Sequence, residues 1–205
     1  MSIVEQPQAA ARSAPADFAN RRQPVTLAMY DRMIAAGVFD PAENHPLELI
    51  GGDLHVMSPI GDRHADAVAF LTRWSSQHAD PQQVLVWVQN PLAIPGSESA
   101  PQPDIAWVAF RRYADRRPQP AEVSLLIEVA DTSLAFDTEV KAGLYAAAGI
   151  ADYWVVDLIS RGVIVFRDPR AGRYETRSTH RDDNAVRPLA RPSAVLVPAE
   201  LFATE

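Results

Sequence analysis

Residues 123–158 read VSLLIEVADTSLAFDTEVKAGLYAAAGIADYWVVDL, and this stretch decides the fold. Residues 123–129 are apolar on both faces apart from one serine and Glu128, which predicts a strand in the middle of a sheet. Residues 134–148 follow with the period of an amphipathic helix, and residues 153–156 read as a second buried strand. A buried strand, a helix and another buried strand predict a sheet that is covered by helices.

The flanking segments extend this pattern in both directions. The other expected elements are a helix at 26–36 capped by Thr26, a hairpin around Gly51 and Gly52, a helix at 62–79 capped by Asp62, strands at 84–88, 92–94 and 105–110, a hairpin of strands 162–167 and 173–176 that turns at 168–170, and a last strand at 194–197. This order predicts an α/β (α+β) fold with a mixed central β-sheet flanked by helices. We expect a loosely ordered N-terminal tail over residues 1–23 and a single domain over residues 24–205.

The composition narrows the class of protein. The chain has 205 residues and no cysteine, which excludes disulfides, thiolate metal sites and cysteine nucleophiles and makes a cytoplasmic location the expectation. No apolar run approaches the roughly 18–20 residues of a membrane helix, and the N-terminus lacks the apolar core of a signal peptide. The net charge of -7 argues against DNA binding, although a bound metal ion reverses the local sign of carboxylates.

Three polar side chains occupy positions where apolar ones are expected. Asp104 opens a predicted strand, Glu128 lies near the end of another, and Lys141 lies inside the helix that follows. An unpaired buried carboxylate is costly, so Glu128 needs a partner or a metal ion. Asp137 and Tyr145 share one helix face with Lys141. If this helix folds back over its sheet, the lysine approaches the carboxylates.

This set of residues fits the chemistry of phosphodiester hydrolysis. Two carboxylates from adjacent strands can hold Mg²⁺, which acidifies a bound water and polarises a phosphoryl oxygen. A nearby lysine can orient that water or neutralise the charge that develops on the phosphate. The sequence contains no evident Ser/His/Asp triad, P-loop motif or HExxH zinc spacing.

Each residue of the set also has a plainer interpretation. Asp104 follows a proline and is typical of a turn. Glu128 could form a structural ion pair with an arginine, and Asp137 with Lys141 could be an ordinary surface pair four residues apart. Spacing alone leaves these alternatives open.

Four stretches of the chain carry a resemblance to a known family. They are LELIGGDLHVMSPIGDRHADAV, VQNPL, QPDIAW and LLIEVADTSLAFDTEVKAGLYAAAGIADYWVVDL, in this order within residues 25–180. Together they resemble the Uma-two family of restriction endonucleases, a branch of the PD-(D/E)XK nuclease superfamily. The resemblance implies a restriction-endonuclease-like core.

The resemblance also implies roles for particular residues. Asp104 and Glu128 would be catalytic metal ligands for Mg²⁺ or Mn²⁺. Ala130 stands where the usual lysine lies, two residues after the glutamate, so the catalytic lysine would be Lys141 on the following helix. Glu48 resembles an additional family acid and is a further candidate metal ligand.

Several other residues match family positions. His64, near a helix start, is expected to cap that helix or to contact DNA in preference to a catalytic role, and Asp137 and Tyr145 are expected to orient the lysine. Tyr153, Trp154 and Asp157 are expected in the core.

The predicted function is therefore a Mg²⁺-dependent endonuclease that hydrolyses phosphodiester bonds, with nucleic acid, and DNA in particular, as its partner. The resemblance also implies a homodimer. The alternative is a nuclease-like module that binds nucleic acid or a protein without cutting, which the alanine at position 130 and the acidic net charge favour. A metal-dependent phosphoesterase acting on small substrates is a third interpretation.

Overall fold

The computed structural model of the protein describes residues 23–39, 47–57 and 60–203. The elements are, in chain order, α1 (Leu27–Ala35), β1 (Leu47–Ile50), β2 (Asp53–Val56), α2 (Asp62–His78), β3 (Val84–Val88), β4 (Ile105–Ala109), β5 (Val123–Ala130), a π-helical segment (Phe136–Lys141) that continues into α3 (Ala142–Ala147), β6 (Asp152–Asp157), β7 (Gly162–Arg170), β8 (Arg173–Arg181) and α4 (Pro198–Leu201).

Six strands form one mixed sheet in the order β3-β4-β5-β6-β7-β8. All neighbouring pairs are antiparallel except β5 and β6, which are parallel. A parallel pair needs a crossover connection, and here the π-helical segment and α3 supply it. β5 is fully buried from Leu125 onward, as the apolar run at 123–129 predicts.

The two faces of the sheet carry separate apolar cores. α2 packs on one face, where Trp74 stacks on Trp107 with ring centroids 5.7 Å apart. α3 packs on the other face, where Tyr145 meets Tyr153 edge to face at 5.0 Å. Successive residues of a strand point to opposite faces, so a strand buried on both sides is apolar along nearly its whole length. The predicted α/β (α+β) fold with a mixed central sheet flanked by helices is confirmed.

A small hairpin, β1 and β2, lies beside the main sheet. Its turn is formed by Gly51 and Gly52, both with positive φ, as a two-residue hairpin turn requires. A side chain at Gly52 would also meet Pro24, because a Cβ there would lie 2.6 Å from the proline Cβ. The hairpin is tied to the chain before β4 by the amide of Ala100, which donates to the carbonyl of Leu49.

The predicted turn between β7 and β8 is wrong by a few residues. The expected turn at 168–170 lies within β7, and the chain reverses at Ala171 and Gly172, both with positive φ. β6 begins with Asp152, which lies opposite Arg167, so Pro169 has a neighbouring strand on one side only. A proline is tolerated at such an unpaired edge because its missing N–H has no partner to lose.

Three other expectations also need correction. Residues 92–94 form no strand, and only Ile94 makes an isolated bridge. The expected strand at 194–197 is likewise reduced to one bridge, between Val186 and Leu196. Asp62 is the first residue of α2 and Gly61 precedes it as the cap. A short apolar run becomes a strand only if another strand lies close enough to pair with it. The sequence of the run does not show whether such a partner is present.

The helix predicted at 134–148 contains a π-helical segment that the sequence pattern does not reveal. Phe136–Lys141 is wound more widely than an α-helix, and α3 continues from Ala142. π-Helical turns are rare and occur frequently at functional sites. This segment carries Asp137 and Lys141 into the interior, where both side chains are buried.

Among the described residues, no helix has the length and apolar character needed to cross a membrane. The tail predicted over residues 1–23 lies outside the described residues apart from Gln23, and the division into a tail and one domain stays a prediction.

A buried carboxylate on β6 provides a test of how the C-terminal segment is attached. Asp152 is inaccessible to solvent and accepts hydrogen bonds from the indole of Trp154 at 2.8 Å, from Arg167 at 2.9 Å and from the amide of Leu189 at 2.8 Å. Asp152→Ala leaves these donors unpaired, so we expect the free energy of unfolding to fall by about 3 kcal/mol in urea denaturation. Asp183→Ala, at an exposed position, should change it by less than about 0.5 kcal/mol. Equal effects of the two substitutions would contradict the structural role of Asp152.

Candidate active site

Two antiparallel strands bring the first two candidate residues together. Ile105 of β4 pairs with Ile127 of β5, so Asp104, one residue before β4, lies beside Glu128. The Oδ2 atom of Asp104 accepts a hydrogen bond from the amide of Val129 at 2.8 Å. Both carboxylates are buried, with 6% and 3% of their residue surface exposed. The sheet register thus places two acids at one end of the central strands.

The helical crossover delivers the lysine to the same place. The Nζ atom of Lys141 lies 3.1 Å from Oε1 of Glu128, and the lysine is 5% exposed. Asp137, four residues earlier, lies 3.9 Å from the same ammonium, and its other oxygen accepts a hydrogen bond from Ser133. The hydroxyl of Tyr145 donates to Oε1 of Glu128 at 2.8 Å. The predicted return of this helix over the sheet therefore occurs, and its polar face converges on Glu128.

The hairpin adds a third acid. Oε2 of Glu48 on β1 lies 3.3 Å from Nζ of Lys141 and accepts a hydrogen bond from the amide of Gln102 at 3.2 Å. Glu48 is itself buried, with 4% exposed. Lys141 is thus held between two glutamates that come from different sheets.

His64 contacts the other side of Asp104. Its Nε2 atom lies 3.3 Å from Oδ2 of Asp104, while its Nδ1 atom is buried and has no hydrogen-bond partner. The side-chain amide of Gln89 donates to Oδ1 of Asp104 at 3.1 Å. Asp104 is therefore oriented from three directions, by the amide of Val129, by His64 and by Gln89.

These side chains line one cleft of about 430 Å³. All the candidate residues except Tyr145, which lies behind Glu128, contribute to its wall. Several other residues line the cleft for which no role was expected from the sequence, namely His55, Val56, Met57, Ile60, Gln89, Gln102, Asp131, Thr132, Ser133 and Phe136. Gln89, His55 and Phe136 all belong to stretches that resemble the family, so a signal for each was present. The proximity of His55 to Phe136 carried no signal, because it depends on the packing of the hairpin against the crossover.

Burial and charge act in opposite directions on the titrating groups. Burial raises the pKa of Glu128 well above its ordinary value, and the nearby Lys141 offsets this only in part. Burial likewise raises the pKa of Asp137. Burial lowers the pKa of Lys141, but the surrounding carboxylates outweigh it and hold the pKa above its ordinary value. Burial above all, and then the neighbouring carboxylates, favours the protonated forms of Glu128 and Asp137, and for Lys141 the carboxylates outweigh burial.

The hydrogen bond to Asp104 raises the pKa of His64 as well. A protonated imidazole would supply a second positive charge to the acids. Four buried carboxylates, those of Glu48, Asp104, Glu128 and Asp137, therefore face one buried ammonium and one imidazole.

The carboxylate oxygens of the cleft are the kind of ligand that a hard divalent cation prefers. Mg²⁺ prefers carboxylate oxygens and commonly takes only one or two of them, keeping water for the rest. Within residues 23–39, 47–57 and 60–203, no group of three or more His, Cys, Asp or Glu side chains is arranged to hold a metal ion. Glu48 and Glu128 both lie against the ammonium of Lys141. Asp104 and Glu128, which lie side by side on neighbouring strands and are both buried, stay the predicted pair of ligands.

The ion cluster predicts how stability depends on pH when metal is chelated. An acid with a raised pKa in the folded state binds its proton more tightly there, so stability falls as pH rises from the unfolded pKa towards the folded one. Lys141→Met removes the main cation and should lower the unfolding free energy by about 3 kcal/mol at pH 8. The loss should be smaller at pH 5, where Glu128 and Asp137 are more nearly protonated.

Urea denaturation in EDTA at the two pH values measures this effect. Arg112→Met serves as the control, because Arg112 is exposed and lies outside the cleft. A loss of the same size at both pH values would show that Lys141 does not compensate buried acids.

Comparison with known proteins agrees with this architecture. No curated protein matches the chain. Among solved structures, a crystal structure described as a putative nuclease belonging to DUF820, from Anabaena variabilis ATCC 29413, superimposes with a TM-score of 0.66. The match covers 87% of this chain and 98% of that one at 14% sequence identity, so it establishes the shared fold.

Comparison with protein families shows the family to which the chain belongs, in addition to the fold that it shares. The family Uma2, described as putative restriction endonuclease, matches residues 28–197, a range that includes every candidate site residue. The resemblance drawn from the four sequence stretches is thereby confirmed. With the shared fold also in place, the chain belongs to the Uma2 family.

Proposed function

We propose that the protein is a metal-dependent endonuclease that hydrolyses phosphodiester bonds in DNA. The observation that carries the proposal is the surplus of buried acid in the cleft, where the carboxylates of Glu48, Glu128 and Asp137 surround one ammonium and that of Asp104 lies beside Glu128. Buried charges of like sign are unfavourable unless something compensates them. A structural ion pair would need only one of these acids. The remaining carboxylates are explained by a cation that binds for function.

Asp104 and Glu128 are the proposed metal ligands, and Glu48 is a third candidate. Mg²⁺ or Mn²⁺ bound there would acidify a water ligand and polarise the scissile phosphate. The hydrogen bonds from Gln89, the amide of Val129 and Tyr145 fix the orientation of the two carboxylates. Pre-oriented ligands lose little freedom when a metal binds.

Lys141 is the proposed cationic partner of the phosphate. Its ammonium can offset negative charge on the phosphate as the bond breaks, and burial strengthens this effect because water does not screen it. Asp137 and Glu48 hold the ammonium from two sides. A lysine on the crossover thus compensates for the alanine at position 130.

His64 is proposed to position Asp104. Its Nε2 atom contacts the carboxylate directly, and it lines the cleft through which a nucleic acid would enter. The capping role expected for His64 is absent, because Gly61 is the cap of α2 and no side chain among the described residues bonds to the start of that helix, and a contact with DNA stays a prediction. A homodimer and a cytoplasmic location stay predictions that accompany the proposal.

A nuclease-like module that binds without cutting is the second candidate function. The observation that favours it is the engagement of Lys141 with two glutamates, which would have to be shared with a metal ion. The two functions differ in whether metal binding leads to cleavage, so metal binding and cleavage need separate measurements.

Metal binding is tested by the stability of the protein, without reference to activity. A saturating divalent ion stabilises the folded state, by about 2.7 kcal/mol at a concentration 100 times its Kd. We expect Mn²⁺ to raise the unfolding free energy of the wild type in this way and to have little effect on Asp104→Asn. The exposed Asp183→Asn variant should respond like the wild type. An undiminished response of Asp104→Asn would place the metal elsewhere.

Cleavage is tested with supercoiled plasmid in Mg²⁺, Mn²⁺ or EDTA. The wild type should nick or linearise the plasmid only with metal, and Asp104→Asn, Glu128→Gln and Lys141→Met should each lower the rate at least about 100-fold. Asp183→Asn again provides the control. If Mn²⁺ stabilises the protein but every form of DNA stays intact, the binding module becomes the better account.

A further inference from the structure

An aromatic pair forms one wall of the acidic cleft. The rings of His55 on β2 and Phe136 on the π-helical segment lie 5.2 Å apart with an interplanar angle of 43°. Both residues are half-buried and line the cleft. Nζ of Lys141 lies 5.8 Å from the centre of the Phe136 ring. The pair is therefore adjacent to the proposed catalytic groups.

Exposed apolar side chains continue this wall. Val56 is 63% exposed and Ile60 is 56% exposed, and both line the same cleft. Contiguous exposed apolar and aromatic side chains beside a few polar groups are typical of clefts that bind a ligand. The wall offers stacking and apolar contact without adding charge.

The charges of the cleft disfavour a paired duplex as its occupant. Five acids line it, Glu48, Asp104, Glu128, Asp131 and Asp137, against the single ammonium of Lys141. Duplex binding relies on cations that contact successive phosphates of both strands. No arginine is among the described residues that line the cleft. The phosphate contacts available here are those of one metal site and one lysine.

The size of the cleft agrees with a small occupant. Its volume of about 430 Å³ lies near the lower end of pockets that enclose a single small molecule, about 300–1,000 Å³. An unstacked base presents a neutral ring face that stacks on an aromatic side chain whatever its sequence.

We propose that the His55–Phe136 pair is a stacking platform for an unpaired base next to the scissile phosphate, so that the substrate is single-stranded or locally unpaired DNA. This inference rests on the proposed nuclease function and adds its substrate class. Lys141 and the metal ligands would engage the phosphate while the adjacent aromatic wall holds the base. Strand separation would then be a condition for cleavage.

The test compares three DNA substrates of one sequence: a single strand, the intact duplex and the duplex with a central unpaired bubble. The wild type with Mn²⁺ should cut the single strand and the bubble at least roughly tenfold faster than the duplex, as expected from the loss of one stacked base. Phe136→Leu should lower single-strand cleavage about tenfold, and Phe136→Trp should restore it. Phe110→Leu is the matched control, since Phe110 is 60% exposed and lies outside the cleft.

A measurement of DNA binding tests the stacking platform independently of cleavage. Fluorescence anisotropy in Mn²⁺ would measure the affinity of two variants, Glu128→Gln and Glu128→Gln/Phe136→Leu, for the single-stranded DNA. The affinity of the double variant should be about tenfold lower than that of Glu128→Gln. Urea denaturation would verify that both variants fold. Equal cleavage of duplex and single strand, with equal effects of Phe136→Leu on each, would overturn the platform and leave the nuclease intact. Absence of all cleavage, with the anisotropy difference present, would overturn the nuclease and support the platform.

Discussion

The contact between Glu128 and Lys141 is the constraint on which the site depends. A carboxylate on the central strand of a buried sheet must be compensated, and the nearest cation comes from the helix that crosses over to the next parallel strand. The two residues are only 13 positions apart, so the crossover that builds the fold also builds the site. The π-helical segment carries Lys141 and Asp137 inward together. Without that lysine, the central strand would hold an unpaired buried charge.

The cluster around this pair sacrifices stability. One lysine faces Glu48, Glu128 and Asp137, and Asp104 lies beside them with His64. Buried charges of like sign repel one another, so a core with well-packed apolar residues in place of the whole cluster would be less costly to fold, whereas loss of the lysine alone leaves its acids unpaired. Such an arrangement is understandable where a divalent cation completes the charge balance. In the proposed nuclease, the aromatic wall of His55 and Phe136 would take part in the choice of substrate, because it offers a contact that does not depend on phosphate charge.

The rest of the fold fixes the geometry of the cluster. The β4–β5 register aligns Asp104 with Glu128, and α2 brings His64 to the edge of that pair. The β1–β2 hairpin supplies Glu48 to the lysine and His55 to the aromatic wall, and its tight glycine turn and its bonds to the segment before β4 hold it there. Elements distant in sequence thus meet at the end of two central strands, where sheets with crossovers commonly place their sites.

The sequence by itself determined the types of element and the identity of the central acids. The apolar run at 123–129 specified a buried strand, and Glu128 was visible because it interrupted that run. The helical spacing of Asp137, Lys141 and Tyr145 placed the three on one face. The spacing of apolar residues and the polar residue that interrupts an apolar run are both local properties of the sequence. They can therefore be recognised without knowledge of the tertiary structure. Only the tertiary structure decided that Glu48 would share the lysine, that Gln89 and His64 would orient Asp104, and that His55 would pair with Phe136. The π-helical segment and the turn at Ala171 and Gly172 also emerged only there. These features depend on packing between segments that are far apart in the chain. Such packing leaves no periodic pattern in the residues of either segment, so it cannot be predicted from the sequence alone.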